Sequence, residues 1–144
     1  MTVADRHEVI DRHKAWRQIG ARIERTPDAH RRAMLECVRT HILVETEPDF
    51  DRLMATMCAS PAFHFWIDGN GMGGGPKGLD AVQAHYRNLI AEKRYIFEID
   101  IDRIVVDEHT VVTEGWFRQI FPGTTLQSRG VAVANPDAAH LVTA

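Results

Sequence analysis

Apolar and polar positions follow a helical period in the first third of the chain. Residues 3–25 carry a narrow apolar stripe among many charged side chains, which predicts an amphipathic helix. The stripe consists of Val9, Trp16, Ile19 and Ile23. Thr26-Pro27-Asp28 ends this pattern, with Thr26 as the expected N-cap and Pro27 in the first turn of the next helix. Residues 1–27 are therefore predicted to be an N-terminal helical extension, followed by one domain over residues 28–144.

Two further helices are predicted before any strand. Residues 28–46 form a helix, which Pro48 ends because the residue before a proline disfavours helical geometry. Its expected buried face consists of Ala33, Met34, Cys37, Val38, His41 and Ile42. Asp49 then caps a short third helix. The buried stripe expected there consists of Phe50, Leu53, Met54, Met57 and Cys58.

An aromatic strand, a glycine-rich turn and a fourth helix come next. Residues 63–67 predict the strand, because aromatic residues favour strands. Glycines crowd residues 69–78, which predicts a hairpin turn or flexible lid. Lys77 precedes a glycine instead of Ser or Thr, so the turn is not a phosphate-binding loop. The helix is predicted over residues 79–92, with Tyr86 on its inward face.

The strict alternation of residues 95–102 predicts a long strand with one apolar and one acidic face. The phase changes at Arg103, which predicts a β-bulge, and residues 107–110 form a turn before an antiparallel return strand over residues 111–121. Residues 124–144 are weakly patterned, with a loop near Pro136 and a short strand over 140–143. We interpret the acidic stripe, Glu98, Asp100 and Asp102, as a solvated strand face.

Composition narrows the class of protein. The 144 residues are 44% apolar and 26% charged, with a net charge of −3 and a pI of about 6.2, which is typical of one globular domain and not of a nucleic-acid binder. No apolar run predicts a membrane span or a secretory signal, so we expect a cytoplasmic protein. Cys37 and Cys58 are expected to be buried, reduced thiols. The scattered histidines predict no metal site, and nothing indicates a cofactor.

The order of these elements resembles the nuclear transport factor 2-like superfamily, and within it the SnoaL-like polyketide cyclases and ketosteroid isomerases. The segments that carry the resemblance are residues 33–44, 50–57, 63–68, 77–82 and 98–121. The resemblance implies an α+β, cone-shaped fold in which a curved antiparallel sheet wraps around helices and an apolar pocket. It also implies a homodimer and no cofactor.

The resemblance further implies two long strands after the loop near Pro136, whereas this sequence ends at Ala144. A sheet without them would keep an unpaired edge and leave the pocket without one wall. We therefore expect either a truncated member of the superfamily or a sheet that a partner chain completes.

Two residues are candidates for catalysis, His41 and Asp68. His41 is either a satisfied core residue or a group that projects into the pocket; the resemblance places it where ketosteroid isomerases have an oxyanion-binding tyrosine. Asp68 either caps the glycine turn or, by the same resemblance, is the general base. A carboxylate beside Trp66 would be partly desolvated, which raises its pKa. The third acidic group of the isomerases has no counterpart in this sequence.

Further pocket residues are expected around these two. Trp66 and Tyr86 are predicted to line the pocket, Tyr86 through its hydroxyl group. Glu114 and Trp116 alternate on one face of the return strand. If that face points inward, they are a polar anchor and a stacking wall; if it points outward, they are dimer contacts or a solvated face.

Two functions of different classes fit this sequence. The first is a cofactor-free acid–base enzyme, of the cyclase, isomerase or dehydratase type, acting on a small, largely apolar, carbonyl-bearing molecule. Asp68 would remove a proton next to the carbonyl group and His41 would stabilise the oxyanion. The second is a non-catalytic module that binds a small ligand or mediates dimerisation.

Overall fold

A computed structural model describes residues 10–65 and 74–144. Within these ranges the chain is an α+β protein with five helices and a three-stranded antiparallel sheet of order β1-β2-β3. The helices are α1 (Lys14–Glu24), α2 (Ala29–Glu45), α3 (Phe50–Met54), α4 (Leu79–Ala91) and α5 (Gly123–Ser128). The strands are β1 (Phe97–Val106), β2 (Val111–Pro122) and β3 (Ala139–Thr143). The short α5 was not predicted.

The start of α2 differs from the sequence prediction. Asp28 is the N-cap, because its carboxylate accepts a hydrogen bond from the Arg31 amide at 2.8 Å. The prediction that Thr26 caps this helix is therefore wrong. The Thr26 hydroxyl donates instead to the Arg22 carbonyl at 2.8 Å, where it completes the end of α1.

The hairpin of β1 and β2 follows the sequence pattern closely. The pairing register shifts between Ile101 and Arg103, which confirms the bulge. In the turn, the Asp107 carboxylate accepts hydrogen bonds from the His109 and Thr110 amides, each at 2.7 Å. β3 pairs with β2 and confirms the short strand expected near the end of the chain.

Helix α1 lies along the edge of β1 that does not pair with β2. The Gln18 side chain accepts a hydrogen bond from the Ile101 amide at 2.9 Å and donates one to the Ile101 carbonyl at 3.1 Å, which satisfies backbone groups of this edge. On the same helix, Ala15 and Ile19 are buried in one hydrophobic cluster with Leu35 and other residues of α2 and β1. The helix predicted as an extension thus contributes to the core of the fold.

Helix α2 is packed on two sides. Leu35 and Ile42 face α1 and the sheet, whereas Val44 belongs to a second cluster with side chains of α3 and α4. The predicted buried face of α2 is shifted in the structure, since Leu35 is fully buried while Ala33 and Cys37 are exposed.

The acidic face of β1 is not the solvated stripe predicted from the sequence. The Glu98 side chain is only 2% exposed, and it accepts hydrogen bonds from the Arg118 guanidinium and, at 2.8 Å, from the Asp11 amide. Lys14 of α1 lies 3.5 Å from Glu98. Burial alone would raise the pKa of Glu98, but these donors outweigh it, so the pKa is lowered.

The segments that flank the glycine turn run antiparallel. Single β-bridges join Ala62 to Lys77 and Phe65 to Gly74. The end of the predicted strand, residues 66–67, lies outside the described residues. Asp49 caps α3 as predicted, accepting a hydrogen bond from the Arg52 amide at 3.0 Å. None of the helices that the structure describes is long and apolar enough to cross a membrane.

Candidate functional site

His41 lies on α2, and both nitrogens of its ring have partners. Nδ1 is 2.8 Å from the Thr56 hydroxyl, which itself donates its only proton to the Leu53 carbonyl at 2.7 Å. Thr56 must therefore accept a hydrogen bond from Nδ1–H. Neutral His41 thus carries its proton on Nδ1 and presents the lone pair of Nε2.

A tyrosine hydroxyl group and a glutamate carboxylate both lie near Nε2 of His41. The Tyr86 hydroxyl oxygen lies 3.3 Å from this nitrogen and a Glu45 carboxylate oxygen lies 3.6 Å from it. Tyr86 is also hydrogen-bonded to Glu45. We call these three residues, with Thr56, the His41 cluster.

Burial changes the proton affinities within the His41 cluster. It raises the pKa of Glu45 to about 7, against an ordinary value of 4.5, and the hydrogen bond from Tyr86 offsets part of this effect. Burial lowers the pKa of His41, and burial together with the nearby Glu45 raises the pKa of Tyr86. Near neutral pH, His41 and Tyr86 are therefore uncharged, and Glu45 is divided between its acid and carboxylate forms.

The His41 cluster is positioned by helix spacing and by core packing. His41 and Glu45 stand four residues apart on α2, so their side chains share one face of the helix. Tyr86 is 2% exposed on α4, and its ring meets those of Phe63 and His41 edge to face, with centroids 5.9 Å and 6.2 Å away. This packing directs the phenol towards α2.

An open cleft of about 370 Å³ lies beside the His41 cluster. It runs between α2 and residues 56–63, and its polar lining comes from His41 and Thr56. Its remaining walls are apolar or sulfur-bearing, among them Val38, Met57 and Phe63. A small, mainly apolar molecule in this cleft would meet the imidazole of His41.

The candidate residues from the sequence are distributed over different parts of the molecule. His41 and Tyr86 are in contact within the His41 cluster. Glu114 and Trp116 lie on the sheet face that turns away from α2. Of the two orientations considered for this strand face, the structure therefore has the outward one. Glu114 forms an ion pair with Arg103 on that face, and Trp116 is 58% exposed.

The remaining sequence candidates, Asp68 and Trp66, lie outside the described residues.

Sequence reasoning missed Glu45 and Thr56. The spacing of His41 and Glu45, one helical turn apart, was a signal for the first of them. Thr56 carries no such signal, because its contact with α2 depends on how α3 packs. The prediction that Cys37 and Cys58 are buried is wrong: both are free and exposed, and both line the cleft beside His41.

Comparisons with family models, with curated proteins and with solved structures each find no match to this chain. Among the described residues, no group of three or more His, Cys, Asp or Glu side chains is placed to hold a metal ion. The SnoaL-like resemblance, the homodimer and the cytoplasmic location stay predictions.

Proposed function

We propose that this protein binds a small, largely apolar, carbonyl-bearing molecule in the cleft beside His41 and catalyses a cofactor-free proton transfer on it. The observation that carries this proposal is the position of His41. Its ring lines the cleft, and its Nε2 atom also lies near Glu45 and Tyr86. An imidazole that both meets a ligand and shares protons with a second titratable group is suited to acid–base chemistry near neutral pH.

In this mechanism His41 exchanges the proton with the ligand. Neutral His41 accepts a proton from the carbon next to the carbonyl group through Nε2, while Nδ1–H stays bonded to Thr56. The Glu45 carboxylate, 3.6 Å from Nε2, stabilises the imidazolium that forms. Return of the proton to another atom of the ligand completes an isomerisation. In the related proposal from the sequence, Asp68 is the base and His41 binds the oxyanion.

The order of elements over residues 28–121 supports a SnoaL-like protein with a cone-shaped sheet. Two helices, α2 and α3, then a bridged glycine turn, helix α4 and a long bulged hairpin follow one another as the resemblance implies. In this proposal the helix-covered face of the hairpin forms the inner wall of the cone.

Exchange of the α-hydrogens of 2-tetralone in D₂O, followed by proton NMR, tests the proposal. The protein should accelerate exchange above the buffer rate, and His41→Gln should lose about 100-fold of that acceleration. Glu45→Gln should lose less and flatten the pH profile near neutrality, because Glu45 acts through His41. The matched control is Glu36→Gln, an exposed glutamate on the same helix, which should behave as the wild type.

A second candidate function is binding without turnover. It is favoured because both nitrogens of His41 already have partners, at 2.8 Å and 3.3 Å. Saturable binding of 2-tetralone with exchange at the buffer rate would establish this function and overturn the catalytic proposal. Accelerated exchange that His41→Gln does not reduce would remove His41 from the mechanism.

A further inference from the structure

A second cleft, of about 480 Å³, is formed by the second half of α1 and by β1 at its bulge. Three arginines line it, Arg22, Arg25 and Arg103, together with one carboxylate, Asp102. Three positive charges thus face a single negative charge.

These arginines have few partners among residues 10–65 and 74–144. The Nε atom of Arg22 is buried and has no hydrogen-bond partner within the part of the chain that the structure describes. A buried donor without a partner is rare in native proteins and calls for an explanation. Arg25 donates Nε to the Ala21 carbonyl at 3.0 Å, and no partner of its two terminal nitrogens is found among the described residues.

Within the described part of the chain, Arg103 forms only an exposed ion pair. It forms an ion pair with Glu114 at 3.3 Å, and the two side chains are 71% and 65% exposed. Exposed ion pairs of this kind contribute little to stability, so a ligand can displace Glu114 from Arg103.

The convergence of the three arginines follows from local structure. Arg22 lies in the last turn of α1, and Arg25, three residues further on, caps the C-terminal end of that helix. Gln18 anchors the same helix to Ile101 on β1. The register shift between Ile101 and Arg103 interrupts the alternation of side chains along β1 just before Arg103.

We propose that this arginine cleft binds a small dianion, namely inorganic phosphate or a phosphate monoester. Guanidinium groups bind phosphate oxygens through paired, charge-assisted hydrogen bonds, and the Nε–H group of Arg22, which has no partner among the described residues, is one such donor. The carbonyl end of α1 repels anions, so the side chains have to supply the attraction. Once a ligand displaces Glu114 from Arg103, the cleft has an excess of two positive charges, which suits a dianion better than a monoanion.

Calorimetric titration with inorganic phosphate at low salt, joined to amide NMR shifts, tests this site. We expect saturable binding in the wild-type protein, with shifts concentrated in residues 18–25 and 101–104. Arg22→Gln should weaken the affinity for phosphate about tenfold. Arg87→Gln makes the same change of charge at an exposed position on α4 and should leave the affinity unchanged. Acetate, a monoanion, should bind more weakly than phosphate.

Three results would overturn the proposal. They are the absence of saturable phosphate binding, equal losses in Arg22→Gln and Arg87→Gln, and acetate binding as tight as that of phosphate. If Arg22→Gln does not fold, Arg22→Lys replaces it, because it keeps the charge but loses the forked donor. That variant should still bind phosphate more weakly than the wild type, and unchanged affinity would count against the site.

Discussion

The hydroxyl oxygen of Tyr86 lies 3.3 Å from Nε2 of His41 and is also hydrogen-bonded to Glu45. A phenol has a single proton, so it can donate to only one of these two acceptors at a time. While the Tyr86 hydroxyl group donates its proton to Glu45, it cannot donate to His41. The protonation of the carboxyl group and the hydrogen bonding of the imidazole are therefore linked through this hydroxyl group.

Removal of that hydroxyl group should destabilise the fold. Tyr86→Phe leaves a buried imidazole nitrogen and a partly buried carboxylate without their donor, at an expected cost of about 1–2 kcal/mol in the free energy of unfolding. The measurement is urea unfolding near neutral pH. Tyr95→Phe is the matched control, because no hydrogen bond of its hydroxyl group is found within the described residues, and it should cost much less. Equal costs would contradict the role of Tyr86 as the shared donor.

Glu45 should make stability depend on pH in a defined direction. Its pKa is raised from 4.5 to about 7 in the folded protein, so the folded state holds a proton that the unfolded state releases. The resulting stabilisation is complete below the pKa that Glu45 has in the unfolded chain. It is lost as the pH rises through the pKa that Glu45 has in the folded protein. His41, whose pKa is lowered, contributes with the opposite sign, as its stabilisation is lost when the pH falls below 6.5.

A comparison of the wild type with Glu45→Gln isolates the contribution of Glu45, because both proteins keep His41. Relative to the variant, the wild type should lose about 3 kcal/mol of unfolding free energy between about pH 5 and about pH 8. Urea unfolding at several pH values measures this difference. Glu36→Gln should keep the wild-type profile. A difference between wild type and Glu45→Gln that stays constant with pH would show that Glu45 titrates alike in both states.

Gly115 is required where β2 passes the bulge of β1. A Cβ atom at this position would lie 2.9 Å from the Asp100 carbonyl carbon and closer still to its oxygen. Backbone atoms of a paired strand cannot move aside easily, so Gly115→Ala should cost about 3 kcal/mol or more. Gly74→Ala, where a Cβ would meet nothing within 4 Å, is the control. Thermal unfolding compares them, and a small cost for Gly115→Ala would contradict the close pairing of β1 with β2 at this position.

The sequence predicted the parts of the fold that depend on local chemistry. Alternation along β1 and its change of phase indicated the bulge at Arg103, and Asp107 indicated the turn that its carboxylate closes. Asp49 indicated the start of α3. Each of these signals depends on a few neighbouring residues, so tertiary packing does not alter it.

Features that depend on tertiary partners were predicted poorly. Apolar side chains cover more than one side of α2, so the pattern could not show that Leu35 would be buried and Cys37 exposed. Glu98 looked like a solvated carboxylate because its partners Arg118 and Lys14 come from elements distant in the sequence. Knowledge of the hairpin register would have indicated the contact with Arg118.

The sequence indicated only some residues of the candidate site. His41 and Tyr86 were recognised separately, but their contact depends on how α4 packs against α2. Glu45 was overlooked because a glutamate at the end of a helix is usually solvated, and only packing shows that this one is mostly shielded, with 22% of its side chain exposed. The exposure of Glu114 and Trp116 could not follow from strand parity alone.

The proposed pH dependence of activity and of stability depends above all on a carboxyl group within the His41 cluster that gains and loses its proton near neutral pH. Carbon-13 NMR of the Glu45 side-chain carboxyl, assigned by comparison with Glu45→Gln, measures this directly. We expect a titration midpoint near the pKa of about 7 that follows from its burial. A midpoint near the ordinary glutamate value of 4.5 would contradict this expectation, since Glu45 would then be a permanent carboxylate at neutral pH.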